Sequence, residues 1–248
     1  MTENQWQHFT KFKNDLKNKI EEWTAQAPEL KELQKYAAEA ANTPEYPFEI
    51  PVVYNLALDD VTPQDEIKLI VIGDNPGKDE QRAKNSRYLV GQAGKIAEGY
   101  FKKNPELGVD FRRNVIILNK TPVHSAKTSQ LKTIIKQGGP KIANLIQESQ
   151  IWMAEKTAEL HASLNTELWL VGYSELKEKG IFSSYRDTLK TTCTPQAWER
   201  VYVFQHFSMN RFTIDLADFI KAGKKENARL ESNIHELGIL HRKELFGC

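Results

Sequence analysis

The amino-acid sequence predicts an α/β protein: a three-layer α/β/α sandwich with a four-stranded parallel sheet and an N-terminal helical extension. Four short apolar runs carry this prediction, and they span residues 67–73, 114–119, 167–172 and 200–205. Their hydrophobicity is continuous rather than alternating, which is typical of strands buried on both faces. Helical patterns separate the runs, and strands that alternate with helices favour parallel crossover units.

The segments between the apolar runs have the spacing of helices. The clearest helical stretches span residues 94–103, 140–164, 175–189 and 213–221. Helices of this length connect parallel strands by crossing one face of the sheet. In such sheets ligands bind beyond the carboxyl ends of the strands. Polar residues that directly follow a strand are therefore the first candidates for a functional site.

The two ends of the chain have helical patterns of their own. Apolar residues recur every three or four positions from Trp6 to Trp23, and Pro28 interrupts this pattern before a second helix that ends near Ala41. We expect three parts in the chain. These are an N-terminal helical extension over residues 1–50, the α/β domain over residues 51–222, and a basic helical tail with a solvated charged face over residues 223–248.

The composition is globular and its charges are balanced. Among 248 residues, 40% are hydrophobic, and 34 Lys and Arg face 33 Asp and Glu, so any polyanion site must be a local patch. No apolar run reaches the roughly 18 residues of a membrane helix, and the N-terminus lacks an apolar signal segment, which predicts a cytoplasmic protein. Cys193 and Cys248 are far apart, so we expect free thiols, no metal and no cofactor.

The first strand runs directly into the sequence GDNPG, residues 73–77. Two glycines around a proline predict a tight turn that brings backbone N–H groups close to a ligand. The segment does not match a phosphate loop of the form GxxxxGK(S/T). The spacing between its two glycines is one residue too short, and Asp79 stands where a magnesium-binding hydroxyl is needed. The alternative is an ordinary strand-to-helix turn capped by Asp74 or Asn75.

The second strand ends at Asn119, in the sequence NVIILNKTP. A side-chain amide offers a hydrogen-bond donor and an acceptor side by side, which matches the polar edge of a pyrimidine. The alternative is an Asn that closes the turn before Pro122. We interpret the nearby His124 as a surface loop residue.

The fourth strand ends in the sequence QHFSMNRF, in which His206 directly follows the apolar run. A His at this point can donate a hydrogen bond to a developing oxyanion, and the Met, Arg and Phe that follow can probe a base stack. The alternative is a His that caps its own loop. Because the carboxyl ends of parallel strands meet at one edge, the three strand ends together are a stronger signal than any one of them.

These motifs resemble those of the uracil-DNA glycosylase superfamily over residues 52–220, in the order that the superfamily requires. The GDNPG turn resembles the GxNPG motif of its mismatch-specific and single-strand-selective branches. Residues 87–94, RYLVGQAG, are similar to the RPFVGRAG segment of its iron–sulfur branch, and residues 206–208, HFS, resemble the start of its HPSP motif. Asn119 falls where the family keeps its base-recognising Asn.

The sequence also departs from the family pattern. It lacks the cysteine quartet of the iron–sulfur branch, so no cluster is expected. Leu89 occupies the place of the aromatic residue that stacks on the base, and the neighbouring Tyr88 is the candidate to replace it. Phe207 and Met209 stand where the HPSP motif has prolines, which affects insertion into DNA more than the chemistry.

The resemblance implies a repair glycosylase that hydrolyses the N-glycosidic bond of uracil or a related damaged base flipped out of DNA. The implied catalytic residues are Asp74, Asn75 and His206. The implied substrate-binding residues are Gly73, Pro76, Gly77, Tyr88, Leu89 and Asn119. The implied DNA-binding residues are Ser208, Met209, Asn210 and Arg211.

The expected partner of such an enzyme is single-stranded DNA or a mismatched duplex, and the expected state is a monomer without membrane contact. Two other functions fit the same pattern. The first is a glycosylase-like module that binds DNA or nucleotides without catalysis. The second is a small-molecule nucleoside hydrolase that uses the same crevice at the sheet edge.

Overall fold

The computed structural model of the protein describes residues 1–247 and contains the predicted four-stranded, all-parallel sheet. The strands are β1 (Leu69–Gly73), β2 (Val115–Asn119), β3 (Glu167–Val171) and β4 (Val201–Phe204). Their order in the sheet is β2-β1-β3-β4. Each strand lies within one of the predicted apolar runs, so the sequence prediction of the sheet is confirmed.

Helices cover both faces of the sheet, as a three-layer sandwich requires. They are α1 (Glu3–Gln26), α2 (Leu30–Ala40), α3 (Gln92–Lys103), α4 (Gln130–Leu164), α5 (Ser183–Thr192), α6 (Pro195–Trp198), α7 (Arg211–Gly223) and α8 (Leu230–Phe246). Helices α1, α2, α4 and α5 share an apolar core with one face, whereas α3, α7 and α8 share a second core with the other. None of the helices in residues 1–247 has the length and apolar run needed to cross a bilayer.

Strand β1 shows why the apolar runs are continuous. Ile70 and Ile72 point into the core shared with α1 and α4, whereas Leu69 and Val71 point into the core shared with α3 and α8. Successive side chains of a strand point to opposite faces, so a strand covered on both sides needs an apolar residue at every position. The register of β1 against β2 pairs Gly73 with Asn119, and both strands therefore end at the same level.

The N-terminal extension packs against the sheet layer through α4. Helix α1 begins with a capping box, in which the Thr2 and Gln5 side chains each bond to the other's backbone N–H. Its buried side chains lie on one face, from Phe9 to Trp23. The predicted break at Pro28 lies between α1 and α2. These helices share one continuous core with the sheet.

Two predicted helices differ from those in the structure. Helix α4 begins ten residues earlier than residue 140, at Gln130, because the chain continues through a kink at Gly139, whose φ is +67°. The predicted helix over residues 175–189 is wrong in its first part, since α5 begins only at Ser183. A turn at Gly180 precedes it, where a Cβ would lie 2.1 Å from the carbonyl oxygen of Glu175, so a side chain has no room there.

The C-terminal helix α8 lies against β4 and is part of the helix layer. Its buried residues include Ile234 and Leu237, which belong to the core on that face. The approach is close at Gly238, where a Cβ would lie 2.6 Å from the Cβ of Tyr202. The expected tail with a solvated face is therefore solvated on one side only.

The strand order creates a crevice at the carboxyl edge. From β1 the chain moves to β2 at one edge of the sheet, and then crosses back over β1 to reach β3 and β4. The connections after β1 and β3 therefore lead away from each other, which makes a topological switch point between neighbouring strands. Ligands of open α/β sheets bind at such points.

Candidate functional site

A cavity of about 640 Å³ lies at this switch point. The connections that follow all four strands border it, through Asp74 and Asn75 after β1, Asn119 at the end of β2, Gly172 after β3 and His206 after β4. Gly77, Leu89 and Ser208 also line it. The structure therefore brings together most of the residues that the sequence analysis selected.

Asn119 borders this cavity with a side-chain amide whose nitrogen is unpaired within residues 1–247. The residue is 2% exposed, and its Nδ2 atom is buried without a hydrogen-bond partner among the described residues. An unpaired buried donor costs free energy, so most such groups in proteins have partners or bind a ligand. Gly73 makes room for it, because a Cβ there would lie 2.5 Å from Asn119 Oδ1.

Asp74 is held from two sides. Lys120 Nζ donates to its Oδ1 at 2.5 Å, and Thr128 Oγ1 donates to its Oδ2 at 3.3 Å. Gly172, with φ of +95°, lies against the same carboxylate, and a Cβ there would come within 2.3 Å of Oδ1. The carboxylate thus occupies a fixed place where β1 and β3 diverge.

Lys120 is a functional candidate that the sequence analysis missed. Its side chain is completely buried, and Nζ also donates to the carbonyl oxygens of Val171 at 2.5 Å and Gly73 at 3.3 Å. Burial lowers the pKa of Lys120, and the charge of Asp74 opposes that effect. One feature of the sequence could have indicated it: Lys120 directly follows a fully buried strand, where a charge without a partner is costly.

His206 has a defined tautomer. The backbone N–H of Ser208 donates to its Nδ1 at 3.1 Å, and the Ser208 hydroxyl lies 2.8 Å from the same atom. A nitrogen that accepts from a backbone N–H carries no proton, so the neutral ring carries its proton on Nε2. Burial lowers the pKa of His206, which favours the neutral form. The ring therefore offers one N–H donor, and Ser208 orients it.

Asn75 uses its amide within the loop. Its Nδ2 donates to the Ser125 hydroxyl at 3.0 Å and to the carbonyl oxygens of Ser125 and Pro76, each at 3.1 Å. Asn75 borders the cavity, but its N–H donors are already bound to the neighbouring loop. Its Oδ1 is the atom that remains for a water molecule.

His124 is buried, so its interpretation as a surface loop residue is wrong. Its Nδ1 lies 2.8 Å from the Pro76 carbonyl oxygen, and its Nε2 lies 3.0 Å from the Tyr46 hydroxyl. Burial lowers the pKa of His124 to about 4. The neutral ring joins the GDNPG turn to the N-terminal extension and supports the cavity wall from behind.

Glu80 is a second cavity residue that the sequence analysis missed. It is 7% exposed, and the Gly77 backbone N–H donates to its carboxylate at 3.1 Å. Burial raises the pKa of Glu80 to about 7, although backbone N–H groups and Arg112 favour the charged form. A carboxyl group with such a pKa is able to exchange a proton near neutral pH.

Leu89 and Tyr88, the two substrate-binding candidates of the segment 87–94, differ in where their side chains lie. Leu89 borders the cavity and has φ of +50°, which is uncommon for a branched residue. Tyr88 is not brought to the cavity. Its ring is buried in the apolar core, and its hydroxyl donates to the Val53 carbonyl oxygen at 2.6 Å.

Of the predicted DNA-binding residues, Met209, Asn210 and Arg211 are exposed beside the cavity, whereas Ser208 lines it. Met209 is 75% exposed, and both Met209 and Asn210 have left-handed backbone angles, with φ of +55° and +57°. Arg211 lines an adjoining cavity together with His206 and Ser208. Of the remaining candidates, Gly73 and Pro76 are buried and do not line the cavity.

One group of side chains within residues 1–247 has the spacing of metal ligands. Glu167, Glu231 and His235 place one ligand atom each within 4.8 Å of the others. His235 Nε2 is already paired with Glu167 at 2.7 Å. Glu167 begins β3, so the group lies at the opposite edge of the sheet from the cavity.

Comparison of the chain with protein-family models, with curated proteins and with solved structures finds no match in any of the three. The fold class is therefore shown by the structure, whereas a family is not.

Proposed function

We propose that the protein hydrolyses the N-glycosidic bond of uracil, or of a related damaged base, after the base has flipped out of DNA. One observation carries the proposal. The unpaired amide of Asn119, the single N–H donor of His206 and the carboxylate of Asp74 border the same cavity. Base recognition, leaving-group stabilisation and hydrolysis need these three kinds of group.

Asn119 fits the polar edge of uracil. Its Nδ2 would donate to O4 of the base, and its Oδ1 would accept the N3–H group. Cytosine has the opposite pattern at these two atoms and would place donor against donor. The free energy released by pairing the buried amide would help to offset the few kcal/mol that base flipping costs.

His206 fits the stabilisation of the departing base. When the bond between C1′ and N1 breaks, its electron pair moves to the base and negative charge develops on O2. A neutral imidazole oriented by Ser208 would donate its Nε2–H to that oxygen without giving up the proton. Loss of one oriented donor of this kind costs other enzymes about 2.7 to 4 kcal/mol.

Asp74 fits the second half of the reaction. Its carboxylate would stabilise the cationic sugar and accept a proton from the attacking water as the oxygen bonds to C1′. The proton then passes to the base, so that the products are an abasic sugar and the neutral free base. Asn75, through its Oδ1, is the second candidate to hold this water.

The DNA partner is part of the proposal. The exposed turn of Met209, Asn210 and Arg211 lies beside the cavity, where a strand that delivers a flipped base has to pass. Lys78 and Lys127 also line the cavity and supply local positive charge in a chain of balanced charge. The cytoplasmic location and the monomeric state stay predictions.

The decisive experiment is a base-release assay. The protein is incubated with labelled oligonucleotides that carry one uracil, hypoxanthine or oxidised pyrimidine, in single strands, mismatches and matched duplexes, and abasic sites are then cleaved with alkali. We expect cleavage at uracil and none at thymine in the same sequence. If no base is released from any substrate, the proposed enzyme activity is wrong, and tight DNA binding in the same samples would favour the non-catalytic module.

A nucleoside hydrolase is the second candidate, and the charge of the cavity favours it. Four carboxyl groups line the cavity, those of Asp74, Asp79, Glu80 and Glu175. Carboxylates suit the hydroxyl groups of a free ribose better than the phosphates of DNA. Release of base from free nucleosides, with none from oligonucleotides, would favour this candidate.

A further inference from the structure

The buried Lys120 lies behind the part of the cavity wall that Asp74 forms, and it does not line the cavity itself. It lies next to Asn119 in the chain and is completely buried, whereas the carboxylate that it contacts, Asp74, borders the cavity. A group in this place can act on a substrate only through the residue that it holds.

The surroundings of Lys120 suit an ammonium ion. Its Nζ has three oxygen acceptors, which are Asp74 Oδ1, the Val171 carbonyl and the Gly73 carbonyl, at 2.5, 2.5 and 3.3 Å. An ammonium has three N–H donors, whereas a neutral amine has two and would turn its lone pair toward one of the oxygens. The Phe182 ring, whose centroid lies 5.1 Å from Nζ, provides a further cation-binding surface.

The surroundings of Asp74 restrict the carboxylate to one place. Lys120 holds Oδ1, and Thr128 donates to Oδ2 from the cavity wall. The space beside Oδ1 exists only because residue 172 is a glycine with φ of +95°. Asn75, by comparison, spends its donors on Ser125 and Pro76.

We infer that Lys120 is a positioning residue, which fixes the Asp74 carboxylate in the orientation that acts on the water and on the cationic sugar. This inference rests on the proposed glycosidic bond hydrolysis. It assigns the water-directing role to Asp74 and leaves Asn75 with the structural role of joining the turn to the loop at Ser125. Lys120 itself transfers no proton and forms no bond with substrate.

The test is a double-mutant cycle on the full chain, with single-turnover base release from single-stranded uracil DNA as the readout. Lys120→Met should lower the rate by at least about tenfold, and the DNA concentration for half-saturation should change by less than about twofold. In an Asp74→Asn background the same substitution should change the rate by less than about threefold, since the group that it positions is gone. An equal loss in both backgrounds overturns the inference, because a general structural defect acts on both alike.

Thr128→Val provides a second cycle if Lys120→Met does not yield folded protein. The Thr128 hydroxyl donates to Asp74, and the substitution keeps the shape of the side chain. We expect a loss of about two- to fivefold in the wild-type background and no further loss in Asp74→Asn. Lys35→Met, a change at an exposed ion pair of α2, is the control and should leave the rate unchanged.

Failure of the proposed function has a different signature. If the wild-type protein releases no base, the rates are not measurable, and the pairing is tested through urea unfolding instead. Lys120→Met should then lower the unfolding midpoint in the wild-type background clearly more than in Asp74→Asn. Equal shifts would overturn the pairing itself, whereas unequal shifts without base release would retain the pairing and reject the enzyme.

Discussion

At the scale of single residues, the polar side chains in and behind the cavity wall differ in how they are paired. The ring of His124 bonds through both nitrogens and takes no further part, whereas His206 bonds through Nδ1 and keeps its Nε2–H. Asn119 Nδ2 has no hydrogen-bond partner within residues 1–247. The Nε2–H group of His206 and the amide of Asn119 are therefore the groups with which a polar ligand in the cavity would pair.

The first residue prediction concerns His206. Replacement of His206 by Ala removes the proposed donor to O2 of the departing base. We expect base release to slow by about 100-fold or more, which corresponds to the cost of losing one oriented donor. Single-turnover assays on uracil DNA measure this change. His8→Ala, at an exposed position on α1, is the matched control, and equal rates for both variants would remove His206 from the mechanism.

The second residue prediction concerns Glu80, whose pKa is raised to about 7 by burial. Between pH 4.5 and 7 the folded protein keeps a proton that the unfolded chain has released. The contribution of protonated Glu80 to the free energy of unfolding is complete below pH 4.5 and is lost as pH rises through 7.

Glu80→Gln has no charge to bury and keeps an oxygen for the Gly77 N–H. At pH 8 we expect it to be more stable than the wild type by up to about 3 kcal/mol, and near pH 4 we expect equal stability. Urea unfolding at both pH values measures the difference. The exposed Glu32→Gln is the control, and an equal difference at the two pH values would contradict a titrating Glu80.

At the scale of secondary-structure elements, the distance between a helix and its neighbours decides whether a glycine of that helix can be replaced by a larger residue. Helix α8 lies against β4 at Gly238, where an added Cβ would meet Tyr202 at 2.6 Å and Phe204 at 2.8 Å. Gly99 on α3 has no atom within 4 Å of an added Cβ. Close packing therefore requires a glycine at position 238 of α8 but not at position 99 of α3, although both helices lie in the same layer.

Substitution of both glycines by Ala tests this difference. Gly238→Ala should destabilise the protein by about 1 to 3 kcal/mol, because the helix has to move away from β4. Gly99→Ala should stabilise it by about 0.5 to 1 kcal/mol, because Ala is the better helix former and nothing obstructs it. Urea unfolding measures both changes. Stabilisation by both substitutions would mean that α8 does not pack closely on the sheet.

At the scale of the whole molecule, buried imidazoles link the fold to pH. Burial lowers the pKa of both His124 and His161 from 6.5 to about 4. The unfolded chain binds these protons first as pH falls below 6.5, so stability declines. By pH 4 each ring has lowered the free energy of unfolding by on the order of 3 kcal/mol. Protonation of Glu80 raises it over the same range by about as much as one ring lowers it.

From these three groups together we expect the free energy of unfolding to fall by about 3 kcal/mol between pH 7 and pH 4, and the lowered pKa of His206 acts in the same direction. Urea unfolding at pH 7, 5.5 and 4 measures this change. His8→Gln, an exposed substitution on α1, should show the same decline. A protein that is equally stable at pH 4 and pH 7 would show that the two buried rings are not the neutral groups described above.

Much of the architecture was readable from the sequence alone. Continuous apolar runs predict the four strands, because strands covered on both faces need an apolar side chain at every position. The shared position of Asn119, which ends β2, and His206, which follows β4, could be predicted as well, since parallel strands end at one edge of the sheet. Helix boundaries were less certain where a kink or tight turn intervened, as at Gly139 and Gly180.

The tertiary structure alone decided how the candidate side chains are used. Lys120 and Asp74 are 46 positions apart and pair only because β1 and β2 are neighbours with aligned ends. The direction of Tyr88, turned into the core, and the burial of His124 likewise depend on elements distant in the chain. Local sequence determines which segments are buried, whereas orientation, pairing and protonation are set by contacts that exist only after folding.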